Sequence, residues 1–340
     1  MSNKKILLSG VKPTGRVHLG NYFGAMKQFL DLQDKFESYI FIADYHAMTT
    51  VQNKEELSQG IIDVALDYLA IGLDPKKVCL FKQSDIPEVH ELTWIFNCLT
   101  TVPYLMRAHA FKDAEAKSKE VNVGLFDYPI LMASDILIQD ADVVPVGQDQ
   151  KQHVEYARDT AQKFNRIFPS MAGQVATFKI PEPYILKDVE TVIGTDGKKM
   201  SKSNGNIIPL FATDEEIKKA VMSIPTDSKG VDEPKNPDEC NVFQIHKLLL
   251  EDPKPDGRAS KKLTDLRAKY EKGSLGYKEA KELLISDLMA FMGPIRIKRE
   301  ALAKDLGSVL EILKKGGEKA RSRAEAKMKE VREKVGVEVK

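Results

Sequence analysis

The chain has 340 residues, 42% hydrophobic and 30% charged, with a formal net charge of +1. That is enough apolar material for the cores of two domains of ordinary size. No apolar run reaches the ~18 residues of a membrane-spanning helix, "MSNKKILLSG" enters a strand too early for a secretory signal, and three scattered cysteines, Cys79, Cys98 and Cys240, argue for reduced thiols in a cytosol rather than a disulfide framework or a zinc site.

The first 150 residues alternate between strand-like and helix-like patterns. "KKILLSG" reads as a short buried strand, and "LGNYFGAMKQFLDLQD" as a helix with Tyr22, Met26, Phe29, Leu30 and Leu32 on one broad apolar face. "SYIFIADYHA" is a second buried strand, rich in aromatic and β-branched residues. "KEELSQGIIDVALDYLAIGLD" is a helix stopped by Gly72 and Pro75, and "KVCLFKQSD" is a third strand. This order implies a parallel sheet with right-handed crossovers. "ADVVPVGQDQ" supplies a later strand-to-helix junction, and "QKQHVEYARDTAQKFN" the helix after it.

From about residue 212 the pattern turns helical. "TDEEIKKAVMS" opens on a cap at Thr213 or Asp214 with acids in its first turn. Further helices are expected near 241–251, 259–271, 277–292, 296–314 and 317–335, with no convincing strand before the last few residues. The fold class expected is α/β: a Rossmann-like parallel-sheet domain, then an all-helical domain. Residues 291–340 hold 14 Lys/Arg and 8 Asp/Glu, a balance of +6 that leaves −5 for the remainder. Such a tail suits a polyanion partner or a solvated helix face.

Two stretches carry chemistry. In "SGVKPTGRVHLGNYFGAM", Gly10, Gly15, Gly20 and Gly24 surround a strand-to-helix turn, where a ligand can approach the backbone. A helix starting near Gly20 aims free N–H groups at a phosphate, and His18 and Asn21 add side chains at the same mouth. The second stretch, "KKMSKSNGN" from Lys198 to Asn206, packs three ammonium groups into a loop. Common phosphate loops, dinucleotide fingerprints, nucleophile elbows and H-E-x-x-H helices are all missing.

"PTGRVHLGN" resembles the first signature of class I aminoacyl-tRNA synthetases, and "KMSKS" (Lys199–Ser203) matches their second. "YPILMASDILIQDADVVPVGQDQKQHVEYARDTAQKFN", "SIPTDSKG" and "NPDECNVFQIHKLL" are similar to the bacterial-type tryptophanyl branch. The resemblance implies a catalytic domain over 1–208 and a helical anticodon-binding domain over 209–340, its last helix packing back on the sheet. It implies ATP-dependent activation of tryptophan and its transfer to tRNA, with Mg²⁺ on the ATP phosphates and no carboxylate cage. A cytoplasmic homodimer without a separate editing domain or a membrane association is expected.

By the same resemblance, His18, Asn21, Lys199 and Lys202 are catalytic. Lys12, Pro13, Thr14, Gly20, Asn21, Gly147, Gln148, Asp149, Val192, Met200, Ser201 and Ser203 join Lys199 and Lys202 along the ATP. Relatives commonly carry Gln at the position of Lys12 and Glu at that of Gln148. Tryptophan offers one indole N–H, and Asp135 matches the acceptor that reads it. Met132, Val144 and Val146 form walls, and Tyr128 and Gln150 lie nearer the amino-acid head. His46, at the end of the second strand, is either a residue of this pocket or a satisfied core histidine. Cys240 matches one ligand position of an iron–sulfur cluster found in some relatives, but one thiolate cannot hold a cluster, and none is expected. A tyrosyl enzyme, a cofactor-making nucleotidyltransferase and a non-catalytic RNA-binding paralogue are the alternatives.

Overall fold

The computed structural model describes residues 4–13, 15–108, 111–112, 121–146, 151–171, 175–185, 192–250 and 260–339. Two compact units make up the chain. The sheet unit comprises Met1–Gly15, Leu30–Asp188 and Asp305–Lys340; the helical unit comprises Arg16–Phe29 and Val189–Lys304.

The sheet unit is built on five parallel strands: β1 (Ile6–Val11), β2 (Glu37–Ile42), β3 (Val78–Lys82), β4 (Val143–Val146) and β5 (Glu182–Ile185), in the order β3-β2-β1-β4-β5. The expected strands are all present. β5, in "EPYI", adds a fourth hydrogen-bonded pairing that periodicity did not announce, because its four residues are largely exposed. β1, β2 and β3 are buried along most of their length on both faces, which is why they read as continuous apolar runs. The strand order reverses between β1 and β4, and in such sheets ligands bind beyond the carboxyl ends of the strands at that point.

Helices α2 (Asp44–Ala47), α3 (Lys54–Ile71), α4 (Glu88–Leu99), α5 (Val102–Leu105), α6 (Val123–Ile138) and α7 (Lys151–Ile167) follow the strands. Asn53 caps α3 by accepting from the Glu56 N–H at 2.8 Å, and Gly72 ends it at φ 117. One core joins Leu8, Phe41, Phe81, Phe96, Ile130 and Phe164 from strands and helices. Ahead of α2, α1 runs as Leu19–Asn21, a five-residue π-helical stretch Tyr22–Met26, and Lys27–Leu32.

The helical unit holds α8 (Asp214–Met222), α9 (Asn241–Leu250), α10 (Lys261–Lys272) and α11 (Tyr277–Lys304). Thr213 caps α8 and forms a reciprocal pair of bonds with Glu216. Helix α12 (Leu306–Val335) belongs to the sheet unit. The three terminal helices read from the sequence are therefore two long ones. Pro294 lies inside α11, whose buried Ala280, Leu284, Leu288 and Met292 hold it through the missing backbone donor. Gly316 and Gly317 do not break α12 but let it touch β3. A Cβ on Gly316 would stand 1.9 Å from the Leu80 carbonyl oxygen, and the Cys79 thiol donates to the Gly316 carbonyl at 3.2 Å. The break falls instead at Asp305, which caps α12 by accepting from the Ser308 N–H. The residues from 336 to 339 form no strand.

Candidate active site

In the sheet unit, the loops after β2 and β3 converge on Asp135, which α6 carries in its buried half. The carboxylate is only 4% exposed. The Gln83 amide donates to its two oxygens at 3.0 and 2.9 Å, and His46 Nε2 lies 3.0 Å from Oδ2. The Gln83 amide oxygen in turn accepts from the His46 backbone N–H at 3.2 Å, which fixes the Gln83 side chain. On the same short helix, Asp44 accepts from the backbone N–H groups of Tyr45 and Ser84 and from the Ser84 hydroxyl. The two loops are thus tied together by buried polar groups.

Burial pushes the Asp135 carboxyl above its ordinary range, while the bonds from His46 and Gln83 pull it back. A carboxylate offers about four acceptor directions. Three are taken by these bonds, so one remains for a donor. His46 is buried and bonded to the Asp135 carboxylate. Tyr128 lies half-buried two turns before Asp135 on α6, its hydroxyl 2.9 Å from His153 Nε2. The Lys12 ammonium, just past β1, stands 6.0 Å from the Tyr128 ring centre. Val144 is buried, and Met132 and Val146 pack half-buried on the core. Pro13 is buried, its carbonyl so close to Gly60 of α3 that a Cβ there would come within 2.6 Å. Thr14, Gly147, Gln148, Asp149 and Gln150 lie outside the described residues.

The helical unit carries the H-x-G-N part of the first signature and the whole of the second. His18 precedes α1 in extended conformation, and its N–H donates to Asn21 Oδ1 at 3.2 Å. The turn is clipped to residues 208–210: the Leu19 N–H donates to the Ile208 carbonyl at 3.0 Å and the Leu210 N–H to the Val17 carbonyl at 2.9 Å. The His18 ring is buried, and Nδ1 has no partner among the described residues. Desolvation, aided by the field of the Lys202 ammonium, lowers His18 to about 4, so the imidazole is neutral at physiological pH. A Cβ at position 20 would lie 2.9 Å from His18 Nδ1, so a larger residue there would have to displace the buried ring. The Gly20 N–H instead points at Met200 Sδ, 3.3 Å away.

Met200 is the buried anchor of the basic loop, its N–H donating to the Val192 carbonyl at 2.8 Å. Around it Lys198, Lys199, Lys202 and Ser203 are exposed. Ser201 and Ser203 share a hydroxyl–hydroxyl bond of 2.7 Å, and Gly205 takes φ 66 to turn the chain back. The loop hangs on Asn206, which the sequence patterns do not single out. Its Oδ1 accepts from the Ser201 N–H at 2.8 Å, and its Nδ2 donates to Asp196 Oδ1 at 2.6 Å and the Lys199 carbonyl at 3.1 Å. Gln83 is likewise absent from the residues that the sequence points to. Neither residue announces itself in sequence, because an amide shows its role only once its distant partners are placed. The second Asn of "NGN", directly after a left-handed glycine, is the one local hint.

A parallel sheet with its polar acceptor cluster beyond the strand ends, together with a clipped H-x-G-N turn and a basic loop, defines the class I tRNA synthetases. The chain matches the family model for tRNA synthetases class I (W and Y) over residues 2–293, and it belongs to that family. Within it, the chain is 48% identical over 330 residues to a tryptophan–tRNA ligase of Fusobacterium nucleatum, covering 97% of both. It is 44% identical over 331 residues to one of Rhodopirellula baltica, covering 97% of this chain and 99% of the relative. It is also similar to the tryptophanyl-tRNA synthetase of Campylobacter jejuni solved with ADP and tryptophan, at TM-score 0.88 and 42% identity over 97% of this chain and 99% of that one.

Proposed function

We infer that this chain has tryptophan–tRNA ligase activity. Tryptophan and Mg-ATP give tryptophanyl-adenylate and pyrophosphate, and the acyl group then passes to the 3′-terminal ribose of tRNA(Trp), releasing AMP. The observation that carries this is the 48% identity, across 97% of the chain, to a tryptophan–tRNA ligase. The buried Asp135 acceptor supplies a chemical reason. Its open direction takes the indole N–H, and a side chain lacking that donor leaves a buried carboxylate unmatched, which costs a factor of ~10⁴–10⁵ in sites of this kind.

In the first step a tryptophan carboxylate oxygen attacks the α-phosphorus while the bond to the β-phosphate breaks. Charge accumulates on the departing pyrophosphate, and Lys199 and Lys202 meet it there, stabilising the transition state above the ground state. Neutral His18 offers a hydrogen bond to the phosphates without a competing charge. Asn21 holds the His18 backbone, and Gly20 leaves room for the nucleotide. Val192 and Met200 serve the adenine side, with Gly147, Gln148 and Asp149 toward the ribose. Met132, Val144 and Val146 wall the indole pocket, with Lys12, Tyr128 and Gln150 at the amino-acid head. Magnesium arrives with ATP, on its phosphates. In this reading residues 1–208 serve catalysis and 209–340 bind the tRNA anticodon.

The reading also includes a homodimer in the cytoplasm, where its tRNA substrate is charged. No described helix is long and apolar enough to cross a membrane.

The test is ATP–pyrophosphate exchange with each of the twenty amino acids, for the wild type and Asp135→Ala. Exchange with tryptophan alone is expected, with kcat/KM for tryptophan reduced ~10–100-fold or more in the variant, the cost of losing a hydrogen bond to a buried charge. Exchange with tyrosine would discard the pocket assignment, and exchange with none would discard the synthetase reading.

A further inference from the structure

A groove of about 440 Å³ opens in the sheet unit where the α4–α5 connection faces α7. Thr100, Thr101 and Tyr104 line one side, and Asp159, Lys163 and Arg166 line the other. Its volume lies in the ~300–1,000 Å³ range of small-molecule sites, but its walls are polar where such sites are mostly apolar.

The charges in it are unequal. Asp159, the acid among the described lining residues, accepts from the Tyr104 hydroxyl at 2.5 Å and keeps its charge, so that against Lys163 and Arg166 the lining is left with an excess of one positive charge. Burial and that carboxylate push the Tyr104 phenol far up, so it stays a donor. Lys163 and Arg166 stand one turn apart on α7. Neither has an ion-pair or hydrogen-bond side-chain partner among the described residues. The positive field of Arg107 reaches both Tyr104 and Tyr156 at the same place. Other cations of the sheet unit are paired instead: Arg158 with Glu155 and Glu182, and Lys179 with Asp142. The C-terminal end of a helix repels anions, so binding here rests on the side chains.

We propose that this groove is a subsite for one nucleotide of the tRNA substrate, with its phosphodiester on Lys163 and Arg166 and its sugar hydroxyls facing Thr100 and Thr101. The proposal rests on the ligase reading, which brings a polynucleotide to the protein. Two unpaired cations and short hydroxyls suit a phosphate joined to a sugar, and a backbone contact of this kind supplies affinity without reading sequence.

The experiment uses the full chain and the double variant Lys163→Gln/Arg166→Gln. Tryptophan-dependent ATP–pyrophosphate exchange is expected to stay at the wild-type level. The KM for tRNA in aminoacylation is expected to rise ~10-fold. The slope of log affinity for tRNA against log salt is expected to shrink by about 1, roughly one unit for the one phosphate that the variant no longer neutralises. Unchanged tRNA affinity and salt slope would overturn the proposal. Loss of the dimer in the variant, measured by sedimentation, would assign the groove to a second copy and overturn it too. Loss of AMP binding in calorimetry with an unchanged tRNA KM would assign it to a free nucleotide, with the same consequence. If the wild type aminoacylated nothing, the ligase reading would fall. Direct binding of tRNA to both proteins would still decide the groove.

Discussion

The acceptor cluster around Asp135 and the loop around Met200 solve opposite problems. The first buries one charge and surrounds it with fixed donors, Gln83 and His46, so that a single acceptor direction is left. The second keeps its cations in water and buries only the parts that hold them, Met200 and Asn206. A dry acceptor discriminates between ground-state side chains, because an unmatched buried group costs its full desolvation. A wet cation contributes little until a phosphate arrives and water leaves, which makes it useful for charge that develops during reaction. In the proposed reading, recognition and rate enhancement therefore use polar groups of opposite burial.

The largest effect expected from this contrast is at the loop. Lys202→Ala should lower kcat for ATP–pyrophosphate exchange ~10²–10³-fold, the range for losing one preorganised group aimed at transition-state charge. The KM for tryptophan should hardly move. A variant that raised KM and left kcat intact would break the comparison, since Lys202 would then bind ground-state ATP.

Next comes the cluster. Gln83→Leu removes the amide that donates to both Asp135 oxygens while keeping roughly its size. kcat/KM for tryptophan should fall about 10-fold, the worth of a hydrogen bond to a charged group, with the KM for ATP unchanged. An equal loss in both would mean that Gln83 supports the whole sheet edge rather than the acceptor.

The smallest effect concerns His18 and pH. Its folded value, about 4, lies below the ordinary histidine value of 6.5. Between these the unfolded chain binds a proton that the folded chain does not, so folding stability falls as pH drops from 6.5 toward 4. Above 6.5 this contribution is constant. Urea unfolding of the wild type and His18→Asn across that window should show a flatter pH dependence in the variant. Identical profiles would mean that His18 titrates normally, and the neutral imidazole at the phosphates would be lost from the mechanism.

Much of this molecule could be read from local pattern. The buried strands β1, β2 and β3, the cap at Thr213, the stop at Gly72 and the two signature stretches are all encoded within a few residues of where they act. Helix ends and strand periods depend on neighbouring dihedrals and neighbouring side chains, so short-range reading reaches them. Features that depend on distant partners are different. Gly316 and Gly317 look like a helix break until β3 is placed against them. β5 is a strand because β4 offers it an edge. Gln83 and His46 lie 52 and 89 residues from Asp135, and only folding brings the three together. A hydrogen bond requires its two atoms within about 3 Å. No spacing along a chain guarantees that. Residue order therefore set which chemical groups were on hand, and the packing of remote segments chose which of them act together.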